Sequence, residues 1–131
     1  MSVMYRGLLL AGSLLSTASG VYAGSSNSLI DVSADGTLLA TANRDNGSVS
    51  FVDLAANKVV HEISVGHKPE GVSFLGASHT LIATVYGDDQ IVFLDADAGS
   101  VLRTVPVFDE PYGVVATRDG AKAYATLEYP G

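Results

Sequence analysis

Apolar residues in this chain come in short runs of four to seven, separated by clusters of Gly, Asn, Asp and Ser, and no stretch after the first 23 residues carries the i, i+3, i+4 stripe of a surface helix. The pattern predicts strands at 29–33, 38–42, 48–54 and 58–65, then at 71–75, 80–86, 90–94 and 100–107, and finally one from Pro111 and one over 122–128. The run 38–42 is almost continuously apolar, as in a strand covered on both faces. Turns are expected at Asp35 and Gly36, at Asn46 and Gly47, and at Asp119 and Gly120, where glycine tolerates positive φ. Asp53 and Asp95, each closing an apolar strand, are expected to accept backbone hydrogen bonds from the next turn.

The runs repeat. Pro69, Glu70, Gly71 and Val72 return as Pro111, Tyr112, Gly113 and Val114, an offset of 42. Residues 49–53 return as 91–95 at the same offset, and Thr41, Thr84 and Thr126 close three similar segments at offsets of 43 and 42. Four strands in a period of roughly 40–45 residues is the pattern of a β-propeller blade. The fold class expected is therefore all-β: a partial β-propeller of about two and a half four-stranded antiparallel blades, with repeats at about 28–68, 69–110 and 111–131. Because a ring needs roughly four to eight blades, the remaining blades are expected in the same longer chain or in other subunits, this chain being an N-terminal fragment. Pro69 and Pro111 set φ where the innermost strands start, and the glycine two residues on lets backbones crowd near the ring axis.

Composition changes the picture in three ways. A net charge of −7, with only seven scattered Lys and Arg, speaks against nucleic acid as a partner. The absence of cysteine excludes disulfides, thiolate metal sites and covalent haem attachment through thioethers. At the N-terminus, Arg6, the short apolar run 7–15 and the small residues ending at Ala23 make a secretory signal peptide over 1–23. The run is too short to span a bilayer. The mature chain, 24–131, is thus expected to be exported, periplasmic or extracellular, with no stable membrane span after cleavage.

The order of these motifs resembles the YVTN-type (YncE-like) β-propeller repeats of exported bacterial proteins. Leu39, Ala40, Thr41, Ala42 and Asn43 stand for the strand that names the family; 48–53 stand for its Val-Ser-Val-Ile-Asp segment, and 65–69 for its Val-Gly-x-x-Pro link. Ala77 and Ser78 replace the usual Asp-Gly of the second repeat, and Val85, Tyr86, Leu127 and Glu128 replace the Thr-Asn ending. The resemblance covers 29–129 and implies a ring of seven blades. Its relatives include lactonases, and propellers resembling amine dehydrogenase heavy subunits and haem d1 nitrite reductases support redox chemistry; other such repeats occur in surface structural proteins.

The repeated positions read as scaffold, so function is expected where the repeat breaks. The resemblance implies that the loops between second and third strands, and those between blades, share one rim. That rim gathers Arg44, Asp45, His67, Lys68, Asp88, Asp89, Asp109, Glu110 and Tyr129 as candidate ligand-binding residues. No catalytic set, metal site or cofactor is expected: there is no nucleophile elbow, no phosphate loop and no metal-ligand spacing, and His61 and His79 are placed apart on elements away from His67. The leading expectation is a binding or interaction scaffold for a protein or small molecule on the loop rim. The alternatives are part of a periplasmic propeller enzyme or redox-associated protein (lactonase-like, amine-dehydrogenase-like or haem d1-like), or a surface structural protein.

Overall fold

The computed structural model describes residues 30–128; the expected signal peptide and Tyr129 lie outside them. Ten strands make three antiparallel sheets, each a simple meander. The first holds β1 (Ile30–Val32), β2 (Leu38–Asn43), β3 (Ser48–Asp53) and β4 (Lys58–Ser64). The second holds β5 (Pro69–Phe74), β6 (Thr80–Val85), β7 (Gln90–Asp95) and β8 (Ser100–Pro106). The third pairs β9 (Pro111–Ala116) with β10 (Ala123–Leu127). Apart from these, the described residues form a single 3-10 turn, at Tyr86–Asp88, and no helix among them is long and apolar enough to cross a membrane.

The register shows how faithful the repeat is. Ile30 faces Thr41, Val72 faces Ala83 and Val114 faces Ala125, each pair displaced by 42 from the one before. The irregularity in the pairing of the third and fourth strands recurs at the same step, between Phe51 and Val52 and between Phe93 and Leu94. One expectation is corrected here. Thr41 corresponds to Ala83, so the partner of Thr84 and Thr126 in the first repeat is Ala42. Side chains alternate across a strand, and a one-residue slip puts a residue on the opposite face; Thr84 is fully buried whereas Thr41 is half-exposed.

One apolar cluster joins the first two sheets. Leu38, Ala40, Val49, Phe51 and Ile63 from the first meet Val72, Phe74, Leu81, Val92 and Leu94 from the second, with the rings of Phe51 and Phe74 tilted at 6.3 Å. Each such burial contributes about 1.5–3 kcal/mol, so this layer is the main source of cohesion. The innermost strands are also tied by polar contacts that recur with the repeat. Asp31 Oδ2 accepts the Phe74 N–H at 2.8 Å, and at the next junction Ser73 Oγ accepts the Ala116 N–H at 3.1 Å. The buried Thr84 hydroxyl accepts from Gly71 N–H at 2.7 Å and donates to Tyr112 O at 2.6 Å, knitting the second sheet to the third.

The turns follow the expected chemistry. Asp53 Oδ1 accepts from Ala55 and Ala56 N–H, and Asp95 Oδ1 from Asp97 and Ala98 N–H. In the Asn46-Gly47 loop only Gly47 takes positive φ, 68°. Gly47 is also where chains cross closely, its carbonyl receiving Val65 and Gly66 N–H.

Candidate functional site

One end of the three sheets collects the loops after β2 and β6 and the connections β4–β5 and β8–β9. Arg44 follows β2 directly, and its Nε donates to Oε1 of Glu70, the second residue of β5. The Glu70 side chain is 10% exposed, so its carboxylate depends on this partner. That hydrogen bond, with the charges of Glu70 and Asp45, holds the guanidinium above its ordinary range. Beside it, Arg44, Asp45, Asn46, Ser64, His67 and Lys68 line an open depression of about 490 Å³.

His67 stands 86% exposed at the edge of the depression, yet it is firmly oriented. Its backbone N–H donates to Asp88 Oδ2 and its Nδ1 lies 2.8 Å from Oδ1. These bonds keep the Asp88 carboxyl below the usual carboxylate range and leave Nε2 directed away from the pair. Lys68 adopts a left-handed backbone (φ 53°), fixed by Tyr86 N–H donating to its carbonyl, and its ammonium sits 6.0 Å from the centre of the Tyr86 ring.

The remaining candidates sit at the next junction. Asp89, also left-handed (φ 51°), accepts Glu110 N–H through Oδ1 at 2.9 Å, while Glu110 O accepts Glu128 N–H. The Tyr86 phenol, hydrogen-bonded to Glu110 and close to Glu128, is pushed up to about 12. Asp109 lies half-exposed in the β8–β9 connection, beside Phe108, which is 84% exposed. The candidates therefore form two adjacent clusters: Arg44, Asp45, His67, Lys68 and Asp88 around the depression, and Asp89, Asp109 and Glu110 one repeat further on.

Sequence matches are lacking: neither a family model nor a curated protein matches the chain. In structure it is similar to hydrazine synthase of Kuenenia stuttgartiensis, with a TM-score of 0.71 and 26% identity over 82% of this chain and 33% of that one. It is also similar to the β-propeller domain of Cps50 (Swd1) from Myceliophteria thermophila, with a TM-score of 0.67 and 18% identity over 82% of this chain and 34% of that one. The chain folds as part of a β-propeller. It spans about a third of the length of these structures. The first two sheets are complete blades and β9–β10 are the inner half of another, as the 42-residue period leads one to expect.

As propeller blades, the sheets give the repeat-breaking residues a structural meaning that sequence reasoning missed. Arg44, Tyr86 and Glu128 occupy one repeat position, and Glu70 and Tyr112 another; the first position of one blade meets the second position of the next. At the first junction this contact is the Arg44–Glu70 ion pair, and at the second it is an edge-to-face pair of Tyr86 and Tyr112 with centroids 6.4 Å apart. Glu70 and Tyr112 stand inside the repeated Pro-x-Gly motif, whose positions read as scaffold, and neither is among the candidates drawn from sequence. The signal was there in the changed residue at an otherwise constant motif.

The expected separation of His61 and His79 is also corrected. On the opposite end of the blades, His79 Nδ1 lies 2.7 Å from Asp97 Oδ1 and Nε2 lies 2.9 Å from Asp35 Oδ2, while His61 Nε2 contacts Asp97 O at 3.2 Å. Antiparallel meander brings the β1–β2 and β7–β8 turns of neighbouring blades together, which sequence distance conceals. Among the described residues no group of three or more His, Asp or Glu is arranged to hold a metal ion.

Proposed function

We propose that this chain belongs to an exported β-propeller of the YVTN (YncE-like) type, working as a binding and interaction scaffold rather than as a catalyst. One observation carries the reading: the β2–β3 loop and the β4–β5 connection that leads to the next blade meet around an open depression walled by Arg44, Asp45, His67 and Lys68. Phe108, 84% exposed on the same rim, adds the apolar anchor a protein partner uses. Further blades, in the same chain or in other subunits, cover the apolar faces that Ile30 and Val32 present at one end and Val115 and Tyr124 at the other.

The test is in-cell crosslinking of the exported protein followed by identification of what is joined to it. A Lys68→Glu/Phe108→Ser variant should lose crosslinked partners while a Gln90→Glu control on the same blade keeps them. Unchanged crosslinks in the rim variant would remove the rim from the interaction. For export, residues 1–23 fused to a reporter active only outside the cytoplasm should confer activity, and deletion of 7–15 should abolish it.

One observation favours a second reading, part of a periplasmic propeller enzyme or redox-associated protein. With Nδ1 donating to Asp88 in a neutral ring, Nε2 is the acceptor, on a side chain that lines the depression. Lactone hydrolysis and amine oxidation by the longer protein, each with and without His67→Ala, test it. Turnover abolished by that change would replace the scaffold reading.

A further inference from the structure

We propose that His79 is a charge-gated clasp between the first and second blades, closed when its ring is an imidazolium and slack when the ring is neutral. Both ring nitrogens lie within hydrogen-bond distance of carboxylate oxygens, Asp97 Oδ1 at 2.7 Å and Asp35 Oδ2 at 2.9 Å. An ionised carboxylate only accepts, and a neutral imidazole has a single N–H. Only the doubly protonated ring donates to both. Loss of one proton sets a nitrogen lone pair against one carboxylate; with the shorter contact to Asp97 of the same blade kept, the bond given up is the one to Asp35, which crosses between the blades.

Both carboxylates are held in place by their turns, and Asp35 is also held in its charged form. Asp35 sits in the β1–β2 turn of the first blade, and its Oδ1 accepts from Ser33 Oγ, Thr37 N–H and Thr37 Oγ1, which leaves Oδ2 for His79 and holds the carboxyl far below the usual range. Asp97 sits in the β7–β8 turn of the second blade, where its N–H is bound to Asp95 Oδ1. His61, from β4 of the first blade, reaches the Asp97 carbonyl. Its ring lies over Gly99, where a Cβ would come within 2.4 Å of it. Asp35, Asp97 and His61 are thus the titratable groups that face the clasp, with Asp95 behind the Asp97 turn. His79 itself is 24% exposed, enough to exchange protons with solvent.

The sign follows from the two acids. They raise the His79 value above that of a free histidine, so the clasp contributes in full below the ordinary histidine range and is lost as pH rises through the raised value. At the acid end the bond between blades is lost as the Asp35 carboxyl, held far below the usual range, takes up a proton. The opposite end of the same junction is held by the ion pair of Arg44 and Glu70. Above the His79 range the ion pair at the end that carries the depression remains, while the clasp end keeps only the longer contact of His61 with the Asp97 carbonyl.

Thermal melting of the full chain at pH 5.5 and 8.5 tests this, comparing wild type with His79→Gln and Asp97→Asn. Wild type should melt roughly 4 °C or more above His79→Gln at pH 5.5, and the gap should shrink by at least half at pH 8.5. A gap independent of pH would overturn the proposal. Nitrogen NMR of wild type gives a readout that needs no variant to fold: near pH 6 both His79 nitrogens should show the protonated shift. A single neutral tautomer there would equally overturn it.

Discussion

A Cβ on Gly71 would lie 2.7 Å from Tyr112 O, 3.0 Å from Val114 N and 3.1 Å from Thr84 Oγ1. The glycine is required by the next blade's backbone rather than by an unusual φ, and Gly71→Ala should destabilise by about 1–3 kcal/mol in urea unfolding. The expectation that this glycine lets backbones crowd came from the Pro-x-Gly motif alone, and the structure supplies the neighbour. Thr84→Val keeps the shape but leaves the buried Gly71 N–H without its acceptor, for a loss of about 1–3 kcal/mol. Thr41→Val, on the other face, should change little. That contrast was illegible in sequence, because matching the three threonines by eye hid a slip of one residue. At Tyr86, ultraviolet titration should show a phenol ionising near pH 12, since its negative form is opposed by Glu110 and Glu128. In Glu110→Gln the midpoint should fall.

The strands were legible almost to the residue, because short apolar runs between Gly, Asn and Asp leave little choice of period or length. What packs on what was less so. Arg44 was singled out as a break in the repeat, but its answering residue, Glu70, sits in the next repeat, and only the 42-residue displacement of the inner strands puts them together. Arg44→Met should destabilise, by less than breaking a fully buried pair would, because Arg44 is a third exposed. Arg44→Met/Glu70→Leu should recover most of that loss, since the cost lies in the orphaned carboxylate. A double-mutant cycle on unfolding free energies measures the difference. His79 was invisible for a related reason: its two acids lie 44 and 18 residues away in opposite directions, on turns of different blades.

At the scale of the molecule, cohesion comes from faces stacked in series, each blade covering its neighbour. Ile30, Val32, Val115 and Tyr124 belong to blade faces that no neighbour among the described residues covers. The chain on its own should therefore self-associate, with light scattering rising with concentration, and Val115→Lys/Tyr124→Glu should reduce it.

The paired side chains at successive junctions also differ in kind, a cation with an acid and then two aromatic rings. Were the first two repeats exchanged, Arg44 would meet Tyr112, and Glu70 would be left a buried acid without its arginine. A shared register alone would let blades stack in any order, and an array with blades out of sequence loses this pairing. Each blade thus carries its serial number in the residue it offers the next.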